Sequence, residues 1–510
     1  MKRASFVVAL SCAVLAVAFA APAAEETRQK EGKGLTIYTP SQRSGQPVQY
    51  YQQQWVGGQY IQVPQGYAVV KDWRKMKLDK GRNVVRFTDV AKLIDASTVF
   101  FKSLTDPEGT YVVEQNYEYD LVSRDKLLEK YIDKEITLPP PADKDLPPLK
   151  GKLLSTIGGI VVDIDGKIHV NPPQPSGIVL PSLPGGLITR PTLVWLLDAK
   201  KAGDHLVKVT YQTNGILWMA DYTAVTKKND TLLDLSGWVT IDNQSGATYE
   251  DAQVKLVAGD VHRAPQPGVA AEADGMMMAK RAGAPGMAGF AEKGFFEYHL
   301  YTLGRPTTVK DNSQKQIELF SPVENVPAKK IYLYFGAVNV PWWGNEAYMD
   351  RNLGTQMNKK VDIYMQFQNT EKSGLGIPLP AGRIRVYKED EADGSLEFVG
   401  EDRIDHTPKD EKVLLKMGSA FDVVGERKQT NFNISVNDHW MDESFEIKVR
   451  NHKKEDIEVI VKEVLFRWAN WEIKAKSGDY EKIDARTIHF PVKVPKDGEA
   501  TVTYTVHYTW

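Results

Sequence analysis

Apolar and polar residues alternate along much of this chain. Val207, Val209 and Tyr211 alternate with Lys208, Thr210 and Gln212, and Gly237, Val239 and Ile241 with Trp238, Thr240 and Asp242. The same period of two returns at Val361, Ile363, Met365 and Phe367, at Phe445, Ile447 and Val449, and at Ile457, Val459 and Val461. A period of two predicts strands with one face buried and one solvated. Three of these strands run into an asparagine, Asn243, Asn369 and Asn451. Asparagine suits turns because its amide bonds nearby backbone and tolerates left-handed geometry. Strand, asparagine turn and strand, recurring, predict immunoglobulin-like sandwiches, two of them. Val502, Tyr504, Val506, Tyr508 and Trp510 alternate with Thr501, Thr503, Thr505, His507 and Thr509. That run reads as the closing strand of a sandwich or, with its aromatic end, as the last strand of an outer-membrane barrel.

Other segments break the alternation. Val84–Phe87 and Tyr111–Glu114 are short β runs between turn residues, and residues 36–66 mix Gln, Tyr and Gly irregularly. One short helix is expected after Ser123, with Leu127, Leu128 and Tyr131 on one face. Pro139, Pro140, Pro141, Pro147 and Pro148 mark a stiff linker. Ile160–Val162 and Ile168–Val170 flank Asp165-Gly166, a two-residue hairpin signal. Residues 260–294 lack periodicity and read as a long disordered loop. The expected fold class is mostly β: multidomain antiparallel β, with immunoglobulin-like sandwiches and a small β-barrel-like insertion. The expected division is a signal peptide at 1–23, an N-terminal β region at 24–135 and a small β insertion with its Pro-rich linker at 136–188. A sandwich at 189–325 carries the 260–294 loop, and a second sandwich occupies 326–510.

The N-terminus changes the picture of where the protein works. Lys2 and Arg3 precede an apolar run from Phe6 to Ala20, and Ala18-Phe19-Ala20 and Ala21-Pro22-Ala23 both fit a signal-peptidase site. These features predict a secretory leader cleaved after Ala20 or Ala23. The competing readings are a membrane anchor, for which the run is short, and a lipoprotein modified at Cys12. The chain has one cysteine, so cleavage leaves a mature protein without disulfides or thiolate chemistry. No other apolar run approaches membrane-spanning length, so no transmembrane helix is expected in the mature chain. Export to the periplasm or cell surface follows.

Composition is ordinary for a globular protein: 42% hydrophobic, 25% charged and 10% aromatic. Lys and Arg total 64 against 66 Asp and Glu, so a basic nucleic-acid footprint is not indicated. Nine histidines stand singly, without metal-ligand spacing, and no nucleophile elbow or phosphate loop is present. Val162–Gly166 superficially matches a calcium loop but lacks the later acidic ligands, and the hairpin turn explains it. Met276, Met277, Met278 and Met287 suit a soft metal, yet their clustering within a turn-rich segment favours a plain loop. No catalytic residue, cofactor or metal is therefore assigned. Trp342 and Trp343, adjacent in Pro341–Asn345, are the speculative interaction surface. They stack on a sugar or a partner protein, or they plug the end of a sandwich.

Several long stretches in order carry a resemblance. They are Glu114–Ser123, Thr189–Trp195, Asp234–Thr240, Gly246–Tyr249, Tyr298–Tyr301, Arg305–Thr308 and Phe421–Arg427. Over residues 67–510 the chain resembles bacterial exported proteins carrying a domain of unknown function shared with the mucoidy-inhibitor family. It lacks the heptads of a coiled coil that those proteins usually carry. The resemblance implies an exported, β-rich envelope protein linked to surface polysaccharide or envelope assembly, and supplies no catalytic residue. The expected function is a non-enzymatic binding or structural module whose partner is an envelope protein or glycan. The alternatives are a hydrolase of envelope polymers using paired carboxylates and an outer-membrane barrel.

Overall fold

A computed structural model describes residues 31–39, 50–56, 59–118, 122–140, 147–172, 177–185, 187–259, 261, 290–338, 340–341, 346–390 and 392–510. The leader, Cys12, the methionine segment with His262, and Trp342 and Trp343 lie outside the described residues. The protein is nearly all β, in several separate sheets, with one α-helix among the described residues. The alternating positions are the inner faces. Val207, Val209, Tyr211, Val239, Ile241, Phe445, Ile447 and Val449 are all buried, with their polar neighbours pointing away.

One plan occurs three times. Strand Leu232–Asn243 ends at Asn243, and strand Tyr249–Ala258 follows. Strand Lys360–Gln368 runs to Asn369, followed by Gly382–Glu389, and strand Trp440–Asn451 ends at Asn451, followed by Ile457–Val464. In each case the second strand pairs in parallel with an earlier one: with Gly32–Tyr38, Ile216–Thr226 and Ser313–Tyr334 respectively. Each is flanked on its other side by an antiparallel strand, and the chain then returns to pair with the strand that bore the asparagine.

The three asparagines are wholly buried and make corresponding bonds. Asn243 Nδ2 donates to the carbonyls of Ala247 (2.9 Å) and Lys310 (3.0 Å), and its Oδ1 accepts from Ser245 N (3.1 Å). Asn451 Nδ2 donates to Glu455 O (2.9 Å) and Pro495 O (3.0 Å), and Oδ1 accepts from Lys453 N (3.0 Å). Asn369 Nδ2 reaches Ile377 O (2.6 Å) and Pro408 O (2.9 Å), and Gly376 N donates to its Oδ1 at 3.1 Å. Each side chain closes its own turn and ties it to the start of the returning segment. The backbone groups so paired would otherwise be buried and unsatisfied.

Neighbouring units share strands. Ser313–Tyr334 is 22 residues long, far beyond an ordinary strand. It pairs with Leu232–Asn243 as far as Pro327 and with Lys360–Gln368 from Ala328 onward, running unbroken through positions 325 and 326. Lys412–Ser435, 24 residues, likewise pairs first with Lys360–Gln368 and then with Trp440–Asn451. One hydrophobic core gathers residues from Leu35 to Leu415, and another lies within Tyr332–Tyr508.

The C-terminal strand Gly498–Thr509 lies between Trp440–Asn451 and Trp471–Lys476. Its Val502, Tyr504, Val506 and Tyr508 are buried in the last core. It closes a sandwich, and no sheet among the described residues closes into a barrel.

The small insertion is a four-stranded antiparallel sheet of Glu135–Leu138, Leu149–Ser155, Val161–Ile164 and Lys167–Val170, open rather than closed. Asp165 (φ 50°) and Gly166 (φ 77°) form the expected two-residue turn between its last strands. The helix Arg124–Lys130 is capped by Ser123, whose Oγ accepts from Lys126 N at 3.3 Å. Its Leu128 and the following Tyr131 belong to the insertion's own core with Ile136, Leu153 and Val162.

Candidate binding surface

The strands Leu396–Ile404, Gly382–Glu389, Ile216–Thr226, Leu232–Asn243 and Ser313–Tyr334 lie side by side in that order. Their inner faces carry Ile384, Val386, Tyr222, Ala224, Val239 and Ile241, all buried. Alternation places Asp221, Trp238, Thr240, Asp242 and Arg383 on the opposite face. Trp238 is 42% exposed there. An indole on the solvent side of a central strand contributes little to the core. It offers a flat apolar ring beside polar groups.

Those groups are specific. Asp221 stands opposite Trp238 on one side and Arg383 on the other. Thr240 Oγ1 donates to Asp221 Oδ2 at 3.0 Å, and Arg383 Nη2 donates to Asp221 Oδ1 at 3.3 Å. Arg385 lies 3.7 Å from the same carboxylate and 3.6 Å from Glu401. Gln316 Nε2 donates to Thr240 Oγ1 at 3.4 Å, and Glu318 stands opposite Trp238.

The far end of the face is covered. Asp242, four residues beyond Trp238 and so about 13 Å along the strand, is only 3% exposed. Tyr51 Oη donates to Asp242 Oδ2 at 2.9 Å, and Gln314 Nε2 donates to that oxygen at 2.9 Å. Burial first, then the bond to Asp242, holds the Tyr51 hydroxyl pKa well above the ordinary tyrosine value, so it stays a donor. Gly66 packs directly on the neighbouring strand, where a Cβ would come within 2.5 Å of Leu217 Cβ. Only glycine fits that approach.

The other chemistry-bearing residues are placed differently. Ser103 Oγ lies 3.2 Å from His205 Nδ1, a distance that suits a nucleophile and base. Both are at most 1% exposed, and His205 Nε2 is spent on Lys201 O at 3.1 Å, which makes this a satisfied pair inside the core. His507 Nδ1 is 2.6 Å from Asp442 on an adjacent strand, and His489 is half-buried on a strand. Among the described residues no group of three His, Cys, Asp or Glu is arranged to hold a metal ion. A surface groove of about 760 Å³ lies further along Ser313–Tyr334 than the Glu318 that faces Trp238, and is lined by Lys329, Gln366, Gln368, Lys372, Lys409 and Asp410.

Near Trp342 and Trp343, Arg486 Nη1 donates to the Pro341 carbonyl at 3.4 Å. Beyond them the loop is held from inside. Arg467 Nη1 donates to Tyr348 O (2.9 Å) and Asp350 O (2.8 Å), and its Nη2 to Leu353 O (3.1 Å). Trp238 was visible to sequence reasoning only as a bulky aromatic in the polar phase of a strand. That is the signal that marks it.

Compared with protein-family models and with curated proteins, the chain matches none.

Proposed function

We propose that the protein is an exported, non-catalytic binding module of the bacterial envelope whose ligand is a glycan seated on the Trp238 face. The observation that carries this reading is a 42%-exposed tryptophan on a strand otherwise anchored in the core, ringed by side chains that donate and accept hydrogen bonds. A sugar ring has an apolar face for the indole and an edge of hydroxyls for Asp221, Gln316 and Arg383. The leader-like N-terminus and the resemblance to exported envelope proteins support the location. Absence of cysteine beyond position 12 fits export without disulfides.

The test is titration of the purified protein with soluble envelope polysaccharides, followed by calorimetry and tryptophan fluorescence. Trp238→Ala is expected to weaken binding about tenfold, the value of one stacking contact of ~1.4 kcal/mol. Trp342→Ala/Trp343→Ala is the competing variant. Loss of affinity there, with Trp238→Ala unaffected, moves the ligand to the other surface. Release of reducing ends from the bound polymer overturns the non-catalytic reading. Osmotic-shock release from native cells checks the location.

A further inference from the structure

Residues 50–56 and 59–66 lie across the Trp238 face. Their strands Tyr51–Val56 and Gln59–Pro64 pair only with each other among the described residues. A two-stranded hairpin is marginal by itself, so its position depends on side-chain anchors. These include Tyr51 on Asp242, and Tyr50, whose ring lies 5.4 Å from the Arg403 guanidinium. The hairpin therefore stands as a wall beside the exposed Trp238, reaching from Asp242 on the Trp238 strand to Arg403, which lies in one cross-strand row with Arg383, Asp221 and Trp238.

The chemistry of that wall is uniform. Its described exposed residues Gln52, Gln53, Tyr60, Gln62 and Gln65 carry no charge. Amides and phenols donate and accept without net charge, as hydroxyl-rich ligands require. The arginines of the floor, among the described residues, are engaged. Arg383 and Arg385 share Asp221, Arg385 also faces Glu401, and Arg403 lies on Tyr50. Glu318, which stands opposite Trp238, makes no ion pair among the described residues. An anionic polymer would meet a carboxylate and no unengaged arginine.

We infer that the ligand of this face is an uncharged polysaccharide held between Trp238 and the 50–66 hairpin. The inference rests on the proposed binding role of the Trp238 face. Its test uses the purified full chain with three soluble polymers of matched size: a neutral β-glucan, a neutral mannan and alginate. At least one neutral polymer is expected to bind and alginate not to. Tyr51→Phe, which removes the hydroxyl that anchors the wall, is expected to weaken the neutral polymer severalfold while thermal unfolding is unchanged. Hydrogen exchange over 51–64 is expected to slow on saturation with ligand.

The failures separate. Alginate binding above either neutral polymer, lost in Trp238→Ala, overturns the neutral-ligand inference and leaves the binding face standing. Neutral binding that needs Trp238 but is indifferent to Tyr51→Phe, with exchange over 51–64 unchanged, removes the hairpin from the site. Binding untouched by Trp238→Ala, or no binding of any polymer, overturns the face itself.

Discussion

Asn243 and Asn451 make the same hydrogen bonds in two different sandwiches. Each amide donates to the carbonyl four residues on and to a pair of consecutive carbonyls at the start of the returning segment, Val309 and Lys310 for one, Val494 and Pro495 for the other. Each Oδ1 accepts the amide two residues on. Asn451→Asp keeps the shape and the acceptor but replaces the donor by a carboxylate facing carbonyl oxygens. Leaving such buried acceptors unpaired costs about 2–3 kcal/mol. Urea unfolding is expected to show that loss for Asn451→Asp and Asn243→Asp alike. A change under about 0.5 kcal/mol in either would show that the turns hold without the amide.

This device marks what was readable in the chain. Asn243, Asn369 and Asn451 were recognisable as turn residues because each ends an alternating strand. Their long-range role was not, since the carbonyls they bind lie 39 to 67 residues further on. The inner faces were legible for the same reason the asparagines were: burial imposes a period of two. Shared strands were not legible, because the alternation of Ser313–Tyr334 changes phase, from Ile317 and Leu319 inward to Tyr332 and Tyr334 inward, through irregular pairing before the partners change at Pro327 and Ala328. Trp238 was passed over because alternation alone assigns it to solvent, and a single aromatic in that phase carries no periodic signal. The contribution of Tyr51 depended on a hairpin whose Gln-rich sequence has no clear pattern.

The last sandwich encloses two ion pairs. Arg427 Nη2 is 2.9 Å from Glu463, with both side chains at most 2% exposed, and Tyr504 Oη donates to the same carboxylate at 2.6 Å. Arg467 Nη2 is 2.7 Å from Glu443. Arg427 Nη1 also donates to Gly354 O at 2.8 Å, so both arginines clamp the loop Tyr348–Gly354 from beneath. Removing one partner of such a pair strands the other charge and costs about 3–5 kcal/mol, whereas replacing both with apolar groups costs far less. Glu463→Gln is expected to lose that much in denaturant unfolding. Arg427→Met/Glu463→Leu is expected to be more stable than Glu463→Gln. Equal losses would show that packing, not the stranded charge, sets the cost. Arg467→Met is expected to open residues 346–357 to limited proteolysis first.

Buried tyrosines make the fold sensitive to alkali. Tyr211, Tyr222, Tyr504 and Tyr508 have hydroxyl pKa values pushed well above the ordinary value, chiefly by burial, and Tyr249 and Tyr301 follow. A raised folded-state pKa means that the native state keeps its proton where the unfolded chain has lost it. The contribution is complete below the unfolded tyrosine pKa, about 10, and is lost as pH rises beyond it. Each such tyrosine removes up to ~1.4 kcal/mol per pH unit above that point. Six acting together exhaust a typical stability within about one to one and a half units. Tyrosinate absorbance and loss of β circular dichroism are expected to rise together, cooperatively, between about pH 10.5 and 11.5. A smooth titration near pH 10 with the fold intact would mean that these hydroxyls reach solvent.

Phe296 heads a two-residue turn between Phe290–Phe295 and Tyr298–Leu303, with φ of 58° and 82% of its surface exposed. The first central position of such a hairpin is where glycine is favoured, and a bulky side chain there is strained by about 1–3 kcal/mol. Little packing offsets this: among the described residues the ring's one aromatic neighbour is Tyr298, at 5.9 Å between centroids. Phe296→Gly relieves the strain but adds backbone entropy to the unfolded chain, which takes back about 0.5–1 kcal/mol. The balance predicts unchanged or slightly higher stability for Phe296→Gly. Phe296→Val, β-branched and less able to adopt the left-handed region, is expected to be lower by about 1 kcal/mol. Thermal unfolding of the pair decides. If Phe296→Gly unfolds several degrees lower than the parent, the ring's contact with Tyr298 outweighs the strain, and the tip is held by packing rather than in spite of its backbone.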